Sequence, residues 1–220
     1  EFRRVLFRSS RSRPLKLTAT AGATIAINGG VFTGLSTSTE ELNAQEIAYG
    51  GNGGQPQGIT ISKGEVITST PYNGAGGVIG FTEDDKLILG KMTLAKAQEL
   101  NVRDAVTCGP FLIINGQAST IVGNGGWGTA PRTAIAQRQD GVVLMLTIDG
   151  RRATMPGATM EDLVKIMQRY GAYNASALDG GTSTAMVENG NLVNDPIDST
   201  GAHATRPIAT GFGAVFNKDE

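Results

Sequence analysis

Three corners of this chain set a chemically capable side chain beside glycine or proline. Asn28-Gly29-Gly30 follows an apolar run at residues 23–27, Pro131-Arg132-Thr133 opens the run at 133–137, and Asp179-Gly180-Gly181-Thr182-Ser183 follows the run at 173–178. Each corner puts one functional group where a buried strand would emerge: an amide, a guanidinium and a carboxylate. The flanking glycines leave backbone N–H groups unshielded, a form of backbone that can cradle an anion. A guanidinium offers a planar donor fork that fits phosphate bidentately. A carboxylate can act as nucleophile, general base or electrostatic partner to a cationic sugar centre. Gathered in one place, the three would hold and cleave a charged sugar derivative. Taken singly, each is also ordinary turn sequence, Asn-Gly above all.

Composition narrows what such a site could serve. The chain has 220 residues, 40% apolar and 18% charged, enough for one sizeable core. A net charge of −1 gives no electrostatic footprint for nucleic acid or an anionic membrane. An acidic substrate would therefore need a local cluster of basic residues. Cys108 is the single cysteine, which leaves no intrachain disulfide and no cysteine metal cluster; a buried thiol in an apolar strand is expected. His203 is the single histidine, beside Thr205 and Arg206, and it argues against most zinc sites and against a Ser-His-Asp triad. The apolar run at 142–146 falls far short of the ~18 residues that a membrane-spanning helix requires. The 31 glycines, several of them in pairs, fall between apolar runs rather than in a low-complexity tract, at roughly twice the ~7% background.

The elements that must position the corners read as strands. Runs at 59–61 and 66–68 flank Lys63-Gly64, and those at 78–81 and 87–89 flank an acidic turn at 83–85. The run at 111–114 ends at Asn115-Gly116, those at 133–137 and 142–148 flank Asp140-Gly141, and those at 185–188 and 192–194 flank Asn189-Gly190. Such dipeptides between β-branched runs predict hairpins. Two stretches read as helix. Residues 93–100 offer Thr93 as a cap, with Leu94, Ala97 and Leu100 on one face. Residues 159–170 offer a capping box of Thr159 with Asp162, a stripe of Leu163, Ile166, Met167 and Tyr170, and Gly171 as the stop. The expected fold class is α+β: mainly antiparallel mixed sheets built from hairpins, with two or three packed helices. Residues 36–57 lack periodicity and read as a long surface loop of the kind that often serves as a lid or binding loop.

Residues 1–9 (EFRRVLFRS) differ in composition from everything after Leu15, with three arginines among bulky apolar residues. They resemble the translation of a sequencing-library adapter. The expected organisation is a segment at 1–14 foreign to the domain or disordered, then one domain over 15–218.

In order and spacing, the motifs resemble the phosphodiester glycosidase family over residues 17–216. They are Asn28-Gly29-Gly30-Val31-Phe32, Gly109-Pro110-Phe111-Leu112-Ile113, Arg132-Thr133-Ala134-Ile135, Asp149-Gly150, Gly157-Ala158-Thr159, Leu178 through Ser183, and Arg206 before the last strand. Val31 stands where the family often has an aromatic residue, Thr182 replaces its usual third glycine, and Ala136 replaces a common glycine. The resemblance implies a hydrolase that cleaves the bond from a sugar anomeric carbon to a phosphodiester, on cell-envelope or exopolysaccharide-type glycans. It implies an extracellular or cell-envelope setting and no cofactor. Asp179, Arg132 and Asn28 are then the expected catalytic residues. Gly29, Gly30, Gly180, Gly181, Thr182, Ser183, Arg206 and Asp149 are the expected substrate-binding ones, with no metal, no nucleic acid partner and no membrane span. Two other readings remain open: a non-catalytic carbohydrate-binding module on the same fold, and a metal-dependent phosphodiesterase cutting P–O. The lone histidine counts against the second.

Overall fold

The structure, a computed structural model, describes residues 2–12, 22–33, 54–198 and 201–216. Of the loop read at 36–57, residues 36–53 lie outside this set. In chain order the strands begin with β1 (Phe2–Ser12), β2 (Ile25–Asn28), β3 (Ile59–Ser62), β4 (Glu65–Ser69), β5 (Gly77–Thr82) and β6 (Leu87–Gly90). Helix α1 (Leu94–Glu99) precedes β7 (Val102–Cys108), β8 (Phe111–Ile114), β9 (Gln117–Ala118), β10 (Arg132–Arg138) and β11 (Val143–Ile148). Helix α2 (Met160–Arg169) leads to β12 (Ala172–Ala177), β13 (Met186–Glu188), β14 (Asn191–Leu192) and β15 (Ile208–Phe216).

The strands form three five-stranded sheets, ordered β1-β15-β2-β13-β14, β11-β10-β12-β8-β9 and β4-β3-β7-β5-β6. The described pairs are antiparallel throughout, so the sheets expected to be mixed are not. The fold is mostly antiparallel β, with two α-helices among the described residues. The five hairpins read from turn dipeptides all form. At three of them, Lys63-Gly64, Asn115-Gly116 and Asn189-Gly190, both turn residues have positive φ, the handedness that suits the twist of the flanking strands. The segment set apart at the N-terminus runs as β1 along β15 at the edge of the first sheet.

Strands of the second and third sheets are apolar on both faces because both faces are covered. Along β10, Ile135 points into a central cluster while Ala134 and Ala136 meet α2 on the other side. Along β5 and β7, Ile79 and Val106 point into the same central cluster, and Val78 and Ala105 face away towards Ala97 of α1. The first sheet supplies Ile27 and Phe212 to the centre, where Phe212 meets Phe81 edge-on at 5.9 Å. One core thus lies among three sheets, with a helix outside two of them. Helix α2 is held by Leu163, Val164 and Met167 against Leu112, Ala175 and Ala177. Deleting the fully buried Leu163 side chain would cost about 2–5 kcal/mol. Its start is the capping box: Asp162 N donates to Thr159 Oγ1 at 3.1 Å, and Thr159 N donates to Asp162 Oδ2 at 2.9 Å. No helix among the described residues is long and apolar enough to cross a membrane.

Candidate active site

Antiparallel pairing brings two of the three corners together. Strands β10 and β12 are neighbours with Ala134 opposite Ala177. Continued by two residues, that register sets Arg132, at the start of β10, across from Asp179, just beyond the end of β12. Backbone bonds carry the pairing past the strands: Leu178 N donates to Thr133 O at 2.9 Å and Gly181 N to Pro131 O at 2.8 Å.

The third corner comes from the first sheet. Asn28, the last residue of β2, is 1% exposed. Its Nδ2 donates to the backbone carbonyl of Asp179 at 2.6 Å, and Asp179 N donates to Gly29 O at 3.1 Å. Its Oδ1 accepts from Thr133 Oγ1 at 2.7 Å and Ala185 N at 3.2 Å. The amide is thus spent inside the protein, clamping the backbone of Asp179 and Ala185 and the Thr133 hydroxyl. The glycines after it serve packing as well. A Cβ on Gly29 would lie 2.5 Å from Thr210 Oγ1, and one on Gly30 would lie 2.5 Å from Thr107 O. Their N–H groups are taken by Thr210 O and Thr210 Oγ1. Backbone from the first and third sheets meets here, so only glycine fits.

The Asp179 carboxylate keeps one oxygen busy and one free. Oδ2 accepts from Ser183 Oγ at 2.5 Å and from Arg206 Nη2 at 2.9 Å, and Arg206 Nε donates to Ser183 Oγ at 2.7 Å. Oδ1 accepts no hydrogen bond from the described residues. The Asp179 side chain is 20% exposed and that of Arg206 13%. The Arg206 guanidinium also lies over the Phe32 ring, 4.7 Å from its centroid, a cation–π contact that fixes its plane.

Arg132 is 5% exposed and pairs with no acidic side chain among the described residues. Nε donates to Ala158 O at 2.9 Å, and Nη2 donates to Trp127 O at 3.1 Å and Gly128 O at 2.5 Å. Nη1 donates to no acceptor among the described residues. Burial pulls the pKa of this guanidinium below its ordinary value, as expected for a cation with no counter-charge among the described residues.

Arg132, Asp179 and Gly180 line one cavity of about 420 Å³, together with Tyr72, Cys108, Trp127 and others. Burial, then electrostatic interaction with the Cys108 and Asp179 groups, pushes the Tyr72 phenol above its usual value. Burial, followed by Asp179, pushes the Cys108 thiol up as well, so the thiol expected to be inert is neutral and enclosed. Of the remaining expected residues, Thr182 and Ser183 are buried beside Asp179. Asp149 does not line this cavity: Oδ1 accepts from Asn194 Nδ2 at 2.9 Å and Oδ2 from Asp195 N at 3.0 Å.

Sequence reasoning passed over Arg151, Tyr72 and Trp127. Arg151 Nη1 donates to Thr182 Oγ1 and to Ile197 O, both at 2.8 Å. Burial lowers its value, Asp198 opposes that, and the nearby charge of Arg206 adds to it. The hydroxyl of Thr182, where the family usually has glycine, thereby anchors a third arginine beside the Asp179 loop. The local basic cluster that an anionic substrate would need is present despite the net charge of −1. The signal for Arg151 was its place directly after Asp149-Gly150; Tyr72 and Trp127 lie in loops without periodicity.

In this antiparallel three-sheet protein one carboxylate, Asp179, and three arginines, Arg132, Arg151 and Arg206, lie where strands end. The chain belongs to the phosphodiester glycosidase family, whose sequence pattern matches residues 21–215. Its fold is similar to the catalytic domain of zebrafish N-acetylglucosamine-1-phosphodiester alpha-N-acetylglucosaminidase, auto-inhibited by its pro-peptide. There the TM-score is 0.76 at 19% identity, covering 97% of this chain and 73% of that one. It is also similar to a hypothetical protein from Synechocystis, with TM-score 0.68, 14% identity and coverage of 97% and 56%. In sequence it is 38% identical over 68 residues to the SPbeta prophage-derived uncharacterized protein YomE of Bacillus subtilis (strain 168), a stretch spanning 31% of this chain and 11% of that protein.

Proposed function

We propose that this protein hydrolyses the bond between a sugar anomeric carbon and a phosphodiester oxygen, releasing free sugar and a phosphomonoester. The observation that carries the reading is the pairing, in one cavity, of a carboxylate with a free oxygen and a guanidinium with no counter-charge. Asp179 Oδ1 accepts no hydrogen bond from the described residues while Oδ2 holds two, and Arg132 lies across from it unpaired. Family membership supplies the substrate class.

Phosphate is a good leaving group and needs little protonation, so a second carboxylate acting as acid is dispensable. Asp179 is the one acidic side chain on the cavity wall among the described residues. Water attacks the anomeric carbon and gives its proton to Asp179 Oδ1. The C–O bond breaks, and its electron pair leaves with the phosphomonoester. This single displacement inverts the anomeric centre. Ser183 and Arg206 fix the carboxylate by its other oxygen. Arg132 Nη1 and the Gly180 N–H, neither of which donates to an acceptor among the described residues, suit the phosphate oxygens. Asn28 acts through the backbone of Asp179 and is a positioning residue, as Asp149 is for residues 194–195. Arg151, set by Thr182, adds positive potential. Cell-envelope or extracellular glycans suit such chemistry.

The test is a panel of sugar-1-phosphodiesters, UDP-N-acetylglucosamine among them, incubated in H218O with products identified by mass. One heavy oxygen in the released sugar is expected. Label in the phosphate would mean P–O cleavage, and saturable binding without product would mean a carbohydrate-binding module on the same fold.

A further inference from the structure

Trp127 lies on the wall of the same cavity as Asp179 and Arg132, on a loop whose carbonyls at Trp127 and Gly128 hold Arg132. An indole left 40% exposed costs free energy unless something covers it. This one is held in place rather than loose. The loop from Val122 to Gly128 turns through positive φ at Gly123, Asn124, Gly125, Gly126 and Gly128. Asn124 ties it down at both ends of its side chain: Oδ1 accepts from Met160 N, the first residue of α2, at 2.5 Å, and Nδ2 donates to Gly128 O at 2.6 Å. Trp127 N donates to Asn124 O at 3.2 Å, and Trp127 O accepts from Arg132 Nη2 at 3.1 Å.

One side of the indole rests on backbone. A Cβ on Gly125 would lie 1.7 Å from Trp127 Cζ3 and 2.2 Å from Cε3, so the six-membered ring covers that glycine and no side chain could stand there. The residue still keeps 40% of its surface exposed and lines the cavity. A rigid aromatic face beside a polar site fits the C–H face of a pyranose ring, which is apolar while its hydroxyls point outward. Position along the substrate follows from the neighbours. Tyr72 shares the cavity wall with Asp179, at the anomeric end. Trp127 is bonded to Arg132, at the phosphate.

We propose that Trp127 is the stacking platform for a sugar ring on the leaving side of the phosphate, so that the preferred substrates are diesters with a ring-bearing, not a simple alkyl, leaving group. This rests on the proposed hydrolysis for its substrate but not for its readout. Trp127 is the single tryptophan, so intrinsic fluorescence reports on it alone. Titration of the whole chain with glucose 6-phosphate should shift or quench its emission saturably, whereas methyl phosphate and free N-acetylglucosamine should not. Trp127→Ala should lose about fivefold more kcat/KM on a diester with a sugar leaving group than on the methyl diester of the same sugar 1-phosphate, and Trp127→Phe should recover most of that difference. Emission indifferent to glucose 6-phosphate, or equal losses on the two diesters, overturns the proposal. If glucose 6-phosphate shifts the emission and no diester is cleaved, the hydrolytic reading fails and the platform stands. Cleavage with an unresponsive indole means the reverse.

Discussion

Asn28 and Asp179, 151 residues apart, are joined through the Asn28 amide and the Asp179 backbone carbonyl at 2.6 Å. With the return bond from Asp179 N to Gly29 O, both polar backbone groups of the carboxylate-bearing residue are gripped by the end of β2. The side chain of Asp179 is therefore aimed by a strand from another sheet.

Asn28→Ala removes that grip and strands the Asp179 carbonyl, Thr133 Oγ1 and Ala185 N, which Asn28 now serves. The expected cost is about 1–3 kcal/mol of stability for each group left without a partner, read by urea unfolding. In the fraction that folds, kcat should fall while KM changes little, because the amide touches no substrate. A folded Asn28→Ala protein with normal kcat would show that the clamp is dispensable.

Arg132→Lys should lower kcat/KM by roughly 10²-fold. An ammonium cannot serve Ala158 O, Trp127 O and Gly128 O while leaving a donor for phosphate. Phosphomonoester products should also inhibit the variant less. Steady-state kinetics with added product checks both, and unchanged kcat/KM would reduce Arg132 to a loop anchor.

The Thr159 hydroxyl, then the Thr159 N–H, hold the Asp162 carboxyl below its usual value. A depressed native value means that its contribution is present above the unfolded value of about 3.9 and is lost as pH falls through the native one. Asp162→Ala should cost about 1 kcal/mol at neutral pH. The gap to the parent should close as pH drops below about 4. Chemical denaturation at several pH values measures it, and a gap that stays constant into acid would remove the carboxylate from the cap.

What could be read from the sequence was what is decided locally. Asn115-Gly116 and Asn189-Gly190 make their turns from two residues, and Thr159 needs only Asp162 to cap α2. Of strand β7 only Cys108 was read as lying in a strand, because Asp104 within it looks like a surface residue. Its carboxylate is buried against Lys63 N and Arg103 Nε, partners that folding supplies. The same holds at the site. The corners and the resemblance led to the expectation that Asn28, Arg132 and Asp179 would face one pocket; Arg132 and Asp179 line one cavity, whereas the Asn28 amide turns inward to the protein. Spacing could not show that Asp149 would hold the loop at 194–195, or that Thr182 would recruit Arg151.

The central claim is that the free oxygen of Asp179 performs the chemistry, and kcat of Asp179→Asn on a sugar-1-phosphodiester tests it most directly. Asparagine keeps the shape and can still accept from Ser183 and Arg206, but it cannot take a proton from water. Provided that the variant unfolds at the parent's midpoint and still shifts Trp127 emission with glucose 6-phosphate, a loss of about 10²–10⁴-fold in kcat is the expected result. Turnover within about twofold of the parent in that folded, ligand-binding protein would contradict the account.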